Sequence, residues 1–158
     1  MSGYNPILSS YNAILLRAQK ALYQYISAQT FTWTYSGTSV TVGKFRGIDN
    51  ADVTLPAIIC NATSAEHENV PWWTGNWTVT GEIILRENAD DCTEDEHLTH
   101  AGEVFDSIVS SSLVTDINTA CTTTLEIVRA GPPSTTSYSI ANRHWESSIT
   151  LTMIVNNT

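Results

Sequence analysis

Apolar residues recur at three- and four-residue steps near the start of the chain. Ile7, Tyr11, Ile14, Leu15, Ala18, Leu22 and Tyr25 fall on one stripe, and this spacing predicts an amphipathic helix over 5–28. Asn5-Pro6 supplies a start, with proline in the first turn. At residue 30 the period changes from three and four to two. Phe31, Trp33 and Tyr35 alternate with Thr30, Thr32 and Thr34, Ser36-Gly37-Thr38 makes a turn, and Val40 and Val42 alternate again. A β-hairpin over 30–45 follows, with one aromatic face and one threonine face. Gly43, Gly47 and Asn50 mark a loop, and Leu55 to Asn61 reads as a short buried strand with Pro56 at its first position or on an edge.

Residues 62–75 are polar and predict an irregular segment ending in Pro71-Trp72-Trp73-Thr74-Gly75. The clearest strand is 76–87, with Trp77, Val79, Gly81, Ile83 and Leu85 on one face. An acidic stretch over 88–96 leads into a helix of about 95–111 carrying Leu98, Ala101, Phe105, Ile108 and Val109. Thr93 followed by Glu96 matches a capping box, and acidic residues in a first turn suit the helix dipole. A short helical piece near 113–120, a strand at 123–129 broken by Gly131-Pro132-Pro133-Ser134, and a short strand at Tyr138 to Ile140 come next. A final strand over 144–155 places Trp145, Ser147, Ile149, Leu151, Met153 and Val155 on one face. This order predicts an α+β fold: a mostly antiparallel sheet with a β-hairpin, and two main helices packed on the sheet. With 158 residues and no long linker, residues 1–158 read as a single domain.

Composition changes this picture mainly at the surface. Charged residues are 15% against 42% hydrophobic, so much of the surface must be neutral Thr, Ser and Asn, which is the kind of surface that subunit contacts bury. The net charge is −9 and the 7 Lys and Arg do not cluster, so no basic stripe exists to neutralise phosphates. Cys60, Cys92 and Cys121 are odd in number and widely spaced, which fits free thiols in a reducing cytosol better than a disulfide framework. The Asn-x-Thr sequons at Asn61, Asn76 and Asn156 are chance matches in a chain rich in these residues, with no signal peptide before them. Arg17, Gln19 and Lys20 interrupt the first helix, so no membrane span is expected.

Candidate chemistry is thin. Glu94, His97, His100 and Glu103 stand three apart on the second helix, a spacing also used by carboxylate-bridged metal sites in bundles. Such sites take further ligands from a second helix, and this chain has no match for them, so the expected reading is a solvated acidic face with no metal. There is no Gly-x-Ser-x-Gly elbow and no Gly-rich phosphate loop, hence no catalytic residue and no cofactor is assigned. Cys60, in an apolar run, reads as a core residue, and His144 beside Trp145 as structural. The aromatics carry more. Trp72 and Trp73 are adjacent, so one is buried and one surface-lying, or both anchor a subunit contact. The face made by Phe31, Trp33 and Tyr35 must pack either on its own domain or on a neighbour, because an isolated hairpin is marginal; the neighbour is the reading adopted, and all five aromatics are subunit-interface candidates.

The order of elements resembles that of tail terminator, or tail completion, proteins of long-tailed bacteriophages. The resemblance covers roughly residues 5–155. It lies in the helix Asn5 to Ala28, the strand Leu55-Pro56-Ala57-Ile58-Ile59, and the strand Gly75 to Leu85 followed by the helix with His100, Val104, Phe105 and Ile108. It closes on the strand Arg143 to Val155. It implies a structural virion protein, assembled in the host cytoplasm, that forms a hexameric ring, caps the tail tube and meets the head connector. Its partners would be copies of itself, the tail tube protein and the connector, with no membrane. DNA would only pass through an acidic lumen, where like charge discourages sticking. Three other readings stand beside it. One is another neck or tube subunit. A second is a ligand-binding module stacking on Trp72, Trp73 and Trp77, which fluorescence quenching would reveal. The third is an enzyme or metalloprotein centred on His97 and His100, which stoichiometric metal would reveal.

Overall fold

A computed structural model describes residues 6–47, 54–67, 76–109, 125–130, 137–139 and 143–156. Helix α1 spans Pro6–Ala28, and a two-stranded sheet of β1 (Thr32–Tyr35) and β2 (Thr38–Thr41) follows. Ser36 and Gly37, with φ of 50° and 83°, form the two-residue turn between them. Two successive positive φ values are what a hairpin's right-handed twist demands, and glycine takes the second without a side-chain penalty.

The main sheet contains β3 (Gly43–Arg46), β4 (Ala57–His67), β5 (Asn76–Asn88), β6 (Leu125–Ala130), β7 (Ser137–Ser139) and β8 (His144–Asn156). Its order is β3-β4-β5-β8-β6. β5 pairs with β8 along its whole length, from Asn76↔Asn156 to Asn88↔His144. β7 and β6 therefore lie end to end along the other edge of β8. All pairings are antiparallel except β3 with β4. Helix α2 spans Glu94–Ile108. The fold is thus α+β, with a hairpin and two helices packing on a mostly antiparallel sheet.

Several boundaries differ from the sequence reading. Gly43–Arg46 is a strand, not a loop: Gly43 N–H donates to the Pro56 carbonyl at 3.1 Å and starts a parallel ladder too short to show alternation. Gly47, at φ 83°, does turn the chain. The strand expected to end at Asn61 runs on to His67, because Thr63, Ser64 and Glu66 sit exposed while the backbone stays paired with β5. Asn50, the 68–75 segment with Trp72 and Trp73, the proposed helix at 113–120 and Cys121 lie outside the described residues.

One core joins both helices, the hairpin and the main sheet. Ala18, Leu22, Tyr25 and Ile26 of α1 meet Ile58, Val79, Ile83, Ile149, Leu151 and Met153 of the sheet. The inward residues of β5 and β8 follow the period-two pattern of the sequence. At Gly81 the helix packs close against the sheet. A Cβ there would lie 2.6 Å from Met153 Cε and 2.7 Å from Leu22 Cδ1, so the absent side chain sets how near α1 sits to the sheet. Met153 and Leu22 are themselves fully packed, which leaves them little room to yield.

Candidate functional site

The two strand patterns carry one polar residue each into the core. On β5 the inward series Trp77, Val79, Gly81, Ile83, Leu85 continues to Glu87, which is 0% exposed. On β8 the series contains Ser147, 1% exposed. Helix α2 lies over them, and the residue it turns inward is His97, also 0% exposed. Its buried stripe is His97, Ala101, Val104 and Ile108. The expected stripe included Leu98 and Val109, but these are 43% and 47% exposed. The capping box explains the phase. Thr93 Oγ1 accepts from Glu96 N–H at 3.2 Å, and Glu96 Oε1 accepts from Thr93 N–H at 3.1 Å. That fixes the first helical residue, and the polar Glu87 below then selects the imidazole over the leucine.

Glu87 is the hub. His97 Nδ1–H donates to its Oε1 at 2.8 Å, and His100 Nδ1–H donates to its Oε2 at 2.8 Å. The Tyr35 hydroxyl donates to Oε2 at 2.5 Å, and the Cys92 thiol approaches the same oxygen at 3.5 Å. A carboxylate offers about four lone-pair sites, so these donors nearly saturate it. Its buried charge is thereby solvated by the protein in place of water. Burial alone pushes the Glu87 carboxyl up, but the hydrogen bonds from His97 and Tyr35 and the nearby His100 outweigh this and hold it below the ordinary 4.5. Tyr35 is pushed well above the ordinary tyrosine value, first by burial and then by its bond to Glu87. Burial, then the charge of Glu87, pushes the Cys92 thiol up to about 12.

His97 uses its other nitrogen as well. Nε2 stands 2.9 Å from Ser147 Oγ. With Nδ1–H directed at Glu87, Nε2 is left to hydrogen-bond with the Ser147 hydroxyl. Glu87, His97 and Ser147 are thus in the order carboxylate, imidazole, hydroxyl, by which a serine is activated for nucleophilic attack. All three lie between the main sheet and α2 at 0–1% exposure, so Ser147 is closed to solvent in this arrangement. Here the arrangement satisfies buried polar groups and ties α2 to β5 and β8.

A second layer extends toward the hairpin. The Trp33 ring stacks on His100, with centroids 4.3 Å apart and 5° between planes, and its Nε1–H donates to Glu103 Oε2 at 3.2 Å. Tyr35 meets the His100 ring edge-on at 6.1 Å. Beneath, Trp145 Nε1–H donates to the Cys92 carbonyl at 3.1 Å, and Arg143 pairs with Asp90.

These positions correct two expectations. Phe31, Trp33 and Tyr35 are 3%, 2% and 8% exposed and belong to the protein's own core, not to a contact with a neighbour. Their aromatic face finds apolar cover and hydrogen-bond acceptors on α2 and β5, which removes the need for a partner. Glu94, His97, His100 and Glu103 do not form one solvated face either. Glu94 and Glu103 are exposed, His97 is fully buried, and His100 points at Glu87. Both nitrogens of His97 are engaged by protein groups, and among the described residues no group of three or more His, Cys, Asp or Glu converges as metal ligands. Trp72 and Trp73 lie outside the described residues. Cys60 is fully buried in apolar surroundings, and burial pushes its thiol up to about 12. Among the described residues no helix is long and apolar enough to cross a membrane. The hub was missed in the sequence because Glu87, His97 and Ser147 belong to three elements; the one available signal was the period-two inward series running on to Glu87 and through Ser147.

No protein-family model matches this chain, and no curated protein is significantly similar to it.

Proposed function

We propose that the chain is a structural subunit of a homo-oligomeric ring in the neck of a long-tailed bacteriophage, a tail terminator that caps the tail tube and meets the head connector. The observation that carries the structural reading is the fate of the reactive side chains. Glu87, His97 and Ser147, the one set with the order needed for catalysis among the described residues, are spent inside the core holding elements together. Two further features favour assembly. β3 covers β4 only from Ala57 to Cys60, and among the described residues no strand pairs with the remaining outer edge, from Asn61 to His67. Such an edge can accept a strand from a neighbouring copy. The surface is also charge-poor, while the net charge of −9 suits a ring through which DNA passes without binding. The neck assignment itself rests on the resemblance in element order, and with it go the hexameric ring, assembly in the host cytoplasm, and tube and connector partners.

A ligand-binding module that stacks a ring on Trp77 is less well supported, since Trp77 is 5% exposed and part of the core.

Light scattering on the purified protein, alone and with isolated tail tubes, tests the proposal. A mass near six chains, or saturable binding at tube ends, supports it. A monomer at every concentration that also ignores tubes sinks it.

A further inference from the structure

The hairpin β1–β2 is a sheet of its own, and among the described residues its strands pair only with each other. A two-stranded hairpin is marginal in isolation, so side chains must fix it to the body. The polar fastenings converge. Tyr35 bonds to Glu87, Trp33 stacks on His100, and His100 bonds to Glu87. Helix α2 is fastened by the same carboxylate through His97, which reaches on to Ser147 of β8. We propose that Glu87 is the catch of an acid-released latch that holds the hairpin and helix α2 against the main sheet.

Every element around Glu87 presents a group that bears on this. The hairpin brings Tyr35, and the turn before α2 brings Cys92 with Asp91 nearby. Helix α2 brings His97 and His100, with Glu96 near Cys92 and Glu103 bonded to Trp33 at the periphery; β8 brings Ser147. No Lys or Arg bonds to the carboxylate among the described residues, so its charge is met by donors alone. Ionised Glu87 accepts from all of them. Protonated Glu87 becomes a donor itself and must turn an O–H toward Tyr35, His97 or His100, each of which already points a hydrogen at it. The carboxyl lies below 4.5 in the folded chain, so the catch holds above 4.5 and lets go as pH falls through the lower folded value. The hairpin and α2 share the apolar core with α1, through Phe31, Val42, Ala101, Val104 and Ile108, but they add to it the polar bonds that depend on Glu87. The contacts of α1 with the sheet, through Leu22, Ile26, Ile58, Val79, Ile83 and Met153, are apolar and carry no such dependence. The acid form therefore keeps α1, β4, β5 and β8 while the hairpin and α2 loosen.

Hydrogen exchange read by mass spectrometry from pH 7 downward, with rates corrected for intrinsic pH effects, tests this on the intact protein. The expected result is loss of protection in 31–41 and 94–108 at a higher pH than in β5 and β8. Simultaneous loss in all segments, or a hairpin and helix that stay protected as long as β5 and β8, overturns the latch. Tyr35→Phe is a mild second probe that leaves the core filled. Exchange in the hairpin at neutral pH should rise about tenfold or more, the effect of losing one bond to a charged group, while α2 is unchanged. Unchanged hairpin exchange in Tyr35→Phe also overturns it. The latch does not depend on the ring proposal, and oligomer mass and local exchange report on them separately.

Discussion

His97 Nδ1 and Glu87 Oε1 meet at 2.8 Å with both residues fully excluded from solvent. A buried ion or ion pair is not in itself a source of stability, because desolvation offsets much of the attraction. Removing one partner is another matter. Glu87→Ala leaves the Tyr35 hydroxyl and the Nδ1–H groups of His97 and His100 without an acceptor and opens a cavity. The expected loss is about 3–5 kcal/mol, read from the urea midpoint. Glu87→Gln keeps one acceptor oxygen and should lose less. Equal midpoints for wild type and Glu87→Ala would mean that the network contributes nothing.

How far the sequence foretold this arrangement depends on the length of each signal. Thr93 and Glu96 are three residues apart, and the capping box was legible because both halves of it are local. The inward faces of β5 and β8 were legible because period two persists over many residues. The short strand β3 was not, since four residues paired in parallel show no period. The stripe on α2 was displaced by one position at its start, as Leu98 is more apolar than His97 and nothing nearby in the chain reveals Glu87 beneath it. The aromatic hairpin posed a different difficulty. Phe31, Trp33 and Tyr35 declare an apolar face, but alternation alone does not say whether the cover comes from the same chain.

The thiols of Cys60 and Cys92 should be inert in the native protein. Burial pushes each up to about 12, so at pH 8 only about one in ten thousand is thiolate, by the tenfold-per-unit relation. Iodoacetamide at pH 8 should modify neither site until denaturant is added, as read by peptide mapping. The sign for stability follows from a folded value raised above the ordinary 9.0. The contribution is fully present below 9.0 and is lost as pH rises toward about 12. Rapid native labelling at Cys92 would show that the Glu87 hub is open to solvent.

Thr93→Ala removes the side chain that accepts from Glu96 N–H and against which Glu96 folds back. Loss of an N-cap costs typically about 1 kcal/mol. The expected effect is a fall of a few degrees in Tm, while Thr93→Ser, which keeps the oxygen, should be close to wild type.

Trp33 decides between the two settings for the hairpin. As a core residue at 2% exposure, stacked on His100 and bonded to Glu103, its truncation should cost about 3–5 kcal/mol within a single chain. The measurement is the urea midpoint of Trp33→Ala and wild type at two protein concentrations a hundredfold apart, under conditions where light scattering reports a monomer. A core role predicts the same large difference in midpoint at both concentrations, because no partner takes part. A contact role predicts no difference in the monomer, and a deficit only where subunits associate. The stack itself is open to a finer test. Trp33→Phe fills part of the same space but cannot donate to Glu103, so it should recover a substantial share of the lost stability. Failure of Trp33→Phe to improve on Trp33→Ala would assign most of the energy to the indole N–H bond, and not to the buried ring.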